Sequence, residues 1–162
     1  MKTQISSIAA LLLFFMSSCS GLKTAPETIK EITAKVESKD FTVVVNSANP
    51  MRMKPVFLTS EYDLRIKNDS AFAYLPYYGV AHVAPFDASE GGIKFATLMT
   101  DYKITPNRKS TGWEITFRVK SSFSTYDIRM NIFNNGSTTV SINSYERDMI
   151  SFDGEIERDS KK

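Results

Sequence analysis

The chain has 162 residues, 42% of them hydrophobic and 23% charged, which is room for one compact domain and too little for two. Its 20 basic and 18 acidic side chains are too evenly balanced to build the one-signed field that holds phosphates, so nucleic acid is not an expected partner. One Cys and one His exclude an internal disulfide framework, a Cys/His zinc site and a His-rich cluster, so no metal and no cofactor are expected. The residues name an address and a fold class, and no set of side chains spells out a reaction.

In chain order the address comes first. Residues 1–19 run from a basic start at Lys2 through an apolar stretch, Ile8 to Met16, to the small pair Ser17-Ser18 before Cys19, the layout of a secretory signal. The apolar stretch falls well short of the roughly 18 residues that cross a bilayer as a stable helix. Ser17-Ser18-Cys19 resembles a bacterial lipobox in its looser form, with Met16 where Leu is usual. The resemblance implies cleavage before Cys19 and lipidation of that residue; an ordinary signal peptide with an incidental cysteine is the alternative. A single acyl chain binds a membrane marginally, whereas a triacylated Cys19 would hold durably, each buried methylene contributing about 0.8 kcal/mol. Cleavage would leave 144 residues with 19 basic and 18 acidic side chains, a tethered and nearly neutral domain. The stretch after Cys19 lacks the acidic pair that resembles the surface-export signal of Bacteroides-type lipoproteins, which favours the periplasmic face of the outer membrane.

Residues 20–26 are small and polar and end in Pro26, which suits a tether. Ile29, Ile32 and Val36 then fall three and four apart, predicting a short amphipathic helix with Pro26 in its first turn; a disordered lead-in is the competing reading. After Asp40 the period becomes two. Phe41, Val43 and Val45 alternate with Thr42 and Val44, and Tyr62, Leu64 and Ile66 alternate with Glu61, Asp63, Arg65 and Lys67. Asn68-Asp69-Ser70 reads as a turn into Ala71–Leu75, and Ile93–Thr97 and Asp101–Thr105 as two further strands. Trp113, Ile115, Phe117 and Val119 mark the next strand, followed by Tyr126, Ile128, Met130 and Ile132, by Thr138, Val140 and Ile142, and by Met149–Ile156. Ser121-Ser122 and Asn134-Asn135-Gly136 are the turns between them, and Asn135-Gly136 predicts a type I′ hairpin, whose two central residues both need positive φ.

The expected fold is therefore all-β, a single antiparallel meander of about eight or nine strands behind a short N-terminal helix. It should close over its apolar face as a sandwich or a partly open barrel. The chain divides into a signal (1–18), an acylated cysteine with tether and helix (19–40), a β domain (41–157) and a polar tail (158–162).

One stretch breaks the meander, Leu75 to Gly92, longer than the usual connection and rich in aromatics. Tyr74, Tyr77, Tyr78, His82 and Phe86 are the candidate binding residues, the aromatics offering apolar area with a polar tip for a partner or a sugar ring. The plainer alternative has these aromatics plugging one end of a barrel. His82 is the first candidate for a general base, which would need a hydroxyl such as that of Ser89, but nothing nearby has the spacing of a triad. Glu61 with Asp63, and Asp153 with Glu155, sit at alternate strand positions that solvation explains; Asp87, Glu90 and Asp101 lack calcium-loop spacing. Glu114, Arg118 and Lys120 face Asp127 and Arg129 across an expected hairpin, the pattern of cross-strand pairing on a solvated face; a basic stripe for anionic polymers or lipid head groups is the alternative, diluted by the acids among it.

Asn49-Pro50-Met51-Arg52, Tyr74-Leu75-Pro76-Tyr77-Tyr78-Gly79, Ala84-Pro85-Phe86, Gly91-Gly92-Ile93-Lys94-Phe95 and Ser141-Ile142-Asn143-Ser144 together resemble a Bacteroidetes lipoprotein family catalogued as domain of unknown function 4251. The resemblance runs from about Asp40 to Ile156. It implies a secreted, lipid-anchored β domain and brings no activity, cofactor or substrate. The expected function is a non-enzymatic envelope lipoprotein, membrane-held through Cys19, that binds an envelope protein or small ligand through the 74–92 loop. An inhibitor or accessory factor of cell-wall enzymes is the second reading and a hydrolase the third.

Overall fold

A computed structural model describes residues 24–83, 91–107, 111–121 and 124–158. The signal, Cys19, Phe86 and the candidate ligands Asp87, Ser89 and Glu90 lie outside the described residues.

Helix α1 (Pro26–Ser38) forms as the spacing predicts, with Pro26 at its start and Ile32 and Val36 on its buried face. It ends at Lys39, whose left-handed backbone (φ 51) turns its N–H onto the carbonyls of Lys35 and Val36. Among the described residues nine strands follow: β1 (Asp40–Pro50), β2 (Val56–Phe57), β3 (Asp63–Lys67), β4 (Ser70–Leu75), β5 (Ile93–Pro106), β6 (Gly112–Lys120), β7 (Thr125–Phe133), β8 (Ser137–Asn143) and β9 (Ile150–Ile156). All pair antiparallel. The order β1-β3-β4-β5-β6-β7-β8-β9 returns to β1, so eight strands close a barrel and β2 lies beside the far half of β1.

Of the two closures expected, the meander takes the barrel, and β1–β9 pairing completes the ring. Closure depends on β1, which pairs with β3 through Asp40–Val44 and with β9 through Val43–Pro50. A bulge at Asn46 shifts its alternation: Phe41, Val43 and Val45 point inward before it, Ala48 and Pro50 after it. Gly154 sits at this seam because a Cβ there would stand 2.1 Å from the Val44 carbonyl oxygen.

Two turns differ from expectation. Ile93–Thr97 and Asp101–Thr105 are one strand, bulged between Thr100 and Lys103, with Asp101 at φ 56, a left-handed conformation that an aspartate tolerates. At the β7–β8 turn Gly136 alone has positive φ (90), and its N–H donates to the Phe133 carbonyl at 2.8 Å. That is a three-residue loop built on a type I turn closed by a glycine bulge, and not the type I′ hairpin.

The interior is one apolar cluster. Leu64, Ile66, Ile115, Met130, Ile132, Phe152 and Ile156 are all under 2% exposed, and Phe95 packs on Tyr126 at 5.7 Å. Helix α1 covers the end where β1 starts and β9 finishes: Ile32 is fully buried against Gly136, and Lys35 Nζ donates to the Glu157 carbonyl. Among the described residues, the opposite end carries 51–62, 76–83, 91–92, 121, 124 and 144–149.

Candidate functional site

Four connections at the uncovered end are tied together by acidic residues of the β8–β9 connection. Asp148 is the centre, its side chain 7% exposed. Its Oδ1 accepts from His82 Nε2 at 3.0 Å, and its buried Oδ2 lies 3.1 Å from Arg52 Nε, off the hydrogen-bonding direction. Its N–H donates to the Val80 carbonyl, and the Tyr77 hydroxyl is shared between the carbonyls of Val80 (2.9 Å) and Asp148 (3.0 Å).

Glu146 forms the second tie. Its carbonyl accepts from the N–H groups of His82 and Val83, and its carboxylate accepts from the Ser124 hydroxyl. That hydrogen bond, aided by the Arg147 charge and opposed by desolvation, holds its carboxyl below the usual glutamate range. Between the two acids, Arg147 donates to the carbonyls of Gly91 and Gly92 and lies over the Tyr77 ring at 5.0 Å. Burial, helped by the Asp148 charge, pushes the Tyr77 phenol up, so it remains a donor at neutral pH.

The candidate residues are dispersed by this geometry. Tyr77 is half-buried and braces the loop from inside, and Tyr78 packs partly buried against the core. Tyr74 lies elsewhere, half exposed on the outer face of β4, stacked on Tyr62 at 5.5 Å with Lys94 Nζ 5.2 Å from its ring. His82 is half exposed and joined to Asp148. Phe86 lies outside the described residues. Asp148, Glu146, Ser124 and Arg147 carry no local motif and escape a reading along the chain; Arg52 appears there only within the 49–52 family segment.

The end presents to solvent the side chains of Met51, Met53, Val80, Val83 and Tyr145, the last 93% exposed. Scattered apolar residues are ordinary on a surface; these stand on loops cross-linked through one carboxylate. The His82–Asp148 pair reproduces the base and orienting acid of a hydrolase, but a nucleophile within reach of the imidazole is absent among the described residues. No three His, Cys, Asp or Glu side chains gather into a metal site among the described residues. Of the carboxylates considered above, Asp153 accepts from Thr139 and Asn49 on the outer face, and Asp101 pairs with Arg118. No helix among the described residues is long and apolar enough to cross a membrane.

A family model described as a domain of unknown function, DUF4251, matches residues 23–156. Among solved structures, a crystal structure of a DUF4251 family protein from Bacteroides eggerthii DSM 20697 shares 15% identity. The two superpose with a TM-score of 0.61 over 80% of this chain and 87% of the other, a likeness of fold. No curated protein matches.

Proposed function

Because this chain belongs to the DUF4251 family, which is defined without an activity, we propose its function from its geometry: a non-enzymatic envelope lipoprotein whose loop end binds a partner protein. The observation that carries the reading is the display of Met51, Met53, Val80, Val83 and Tyr145 on loops locked to one another through Asp148 and Glu146. Loops already held in place lose little conformational freedom on binding, so apolar contact converts more fully into affinity. The polar groups behind them are engaged internally: the hydroxyls of Tyr77 and Ser124 and the guanidinium of Arg147 bond other loops, which argues against a reaction centre.

Orientation supports it. A chain anchored at Cys19 enters the barrel through α1, on the covered end, and strands of seven to nine residues put the loop end roughly 20 Å beyond. The membrane tether and the exposed loops then face opposite ways.

The test is a crosslinking pulldown from the native envelope with wild type, a Met53→Ser/Val83→Ser/Tyr145→Ser variant, and Leu98→Ser, an exposed apolar position on the barrel flank. A partner kept by wild type and Leu98→Ser and lost by the triple variant is expected. Equal capture by all three refutes the reading. Tyr77→Ala is unsuited to this purpose, since it removes two hydrogen bonds that hold the loops.

A further inference from the structure

A second surface stands on the flank of the barrel, where the outer faces of β5, β6, β7 and β8 form an open groove of about 660 Å³. Its shape follows from the strands. The bulge at Asp101–Tyr102 raises the far half of β5 as one wall, and Asn143 and Met149 at the ends of the β8–β9 connection form the other.

Register lays two rows of side chains across its floor. Thr100, Arg118, Asp127 and Asn143 are successive cross-strand partners, as are Lys103, Thr116, Arg129 and Ser141. The first row is internally compensated: Arg118 donates to Asp127 through Nε at 2.8 Å and to Asp101 through Nη1 at 3.1 Å. The second is not. Lys103 and Arg129 are exposed, flank the Thr116 hydroxyl two strand spacings apart, about 10 Å, and have no carboxylate partner among the described residues. Cross-strand opposite charges are the usual resolution of such a face, and here the cations face each other over hydroxyls.

We propose that this groove binds an acidic saccharide unit, its carboxylate held between Lys103 and Arg129 over Thr116. The rest of the lining fits a hydroxyl-rich ring: Asp127 accepts, Asn143 and Ser141 donate and accept, and Met149 supplies the single exposed apolar surface. The groove side chains Asp101, Asp127, Lys103, Arg118 and Arg129 sum to one positive charge, which complements a monoanion, and the volume is that of an ordinary small-molecule site. The groove adjoins the loop surface along Asn143 and Met149, but its two cations stand on β5 and β7 and take no part in the ties made by Asp148 and Glu146.

The probe is glucuronate, titrated into the ¹⁵N-labelled full chain and followed by amide shifts, beside glucose, sulfate and anionic lipid vesicles. Saturable shifts at residues 103, 116, 129 and 141 with glucuronate are expected, with affinity at least about ten-fold weaker in Lys103→Gln and Arg129→Gln and largely kept in Arg129→Lys. Both cations are exposed, so the variants should melt with wild type. Met53→Ser, on the loop end, should bind glucuronate normally, which separates failure of this site from failure of the loop surface. The proposal is overturned if glucuronate leaves the four residues unmoved, if glucose or sulfate binds there as well, or if only vesicles do.

Discussion

Asp148→Asn is the substitution that most directly tests how the loop end is held. It preserves size while removing the charge that faces His82 and Arg52, and it turns an amide N–H₂ toward one of two donors. A charge-assisted hydrogen bond contributes about 1.5–3 kcal/mol, but the His82 and Arg52 side chains are 50% and 65% exposed, so solvent screening reduces the loss to about 1–2 kcal/mol. Distributed over local opening, that is roughly a five- to thirty-fold gain in the exchange rate of the amides that bridge the loops. These are the N–H groups of His82, Val83 and Asp148. Hydrogen exchange read by mass spectrometry should show faster uptake in peptides covering 80–83 and 144–149, while β6 and β7 exchange as in wild type. Unchanged uptake in both loop peptides would refute the claim that this carboxylate ties them.

Two further outcomes follow from the barrel and from Glu146. Gly154→Ala places a methyl group 2.1 Å from the Val44 carbonyl and must open the β1–β9 seam; a loss of about 3 kcal/mol lowers Tm by roughly 10 °C, and a melt within 2 °C of wild type would contradict it. Ser124→Ala removes the main cause of the lowered Glu146 pKa. A depressed carboxyl pKa stabilises the fold above the unfolded value near 4.3 and is lost as pH falls through the folded one, so the variant should be less stable than wild type at neutral pH. Solvent still reaches this half-buried carboxyl and screens it, so the deficit is about a few tenths of a kcal/mol; paired denaturant titrations should show it shrinking below pH 4, and a deficit that persists in acid would point to lost packing instead.

The barrel was legible because its strands alternate cleanly: Leu64 and Ile66, Ile128 and Met130, Val140 and Ile142 all turn inward as the period of two requires. Closure was not legible, because it rests on a bulge at Asn46 and on a glycine against a carbonyl, neither of which alters composition. That Ile93–Thr97 and Asp101–Thr105 form one strand was not legible for a related reason, since the bulge that joins them leaves no mark on composition. The loop end was visible only as an unusual run of aromatics. Asp148 was hidden because His82 lies 66 residues before it and the contact exists only once β4, β5, β8 and β9 have closed the barrel. The flank groove arises from register between strands, so Lys103, Thr116, Arg129 and Ser141 read singly as ordinary solvated positions.

The bulged arm of β5 bears on how the molecule avoids its own kind. β4 pairs with β5 only as far as Leu98, so the strand from Thr100 to Pro106 has β6 on one side and, among the described residues, no strand on the other. In a barrel that otherwise closes on itself, this is where a second chain could add a strand. The segment is poorly suited to accept one: the bulge at Asp101 interrupts its line of donors and acceptors, Lys103 puts a charge beside it, and Pro106 lacks an N–H. The same irregularity that shapes the groove also blunts an edge, and a chain with such an edge can be crowded without templating aggregation along it.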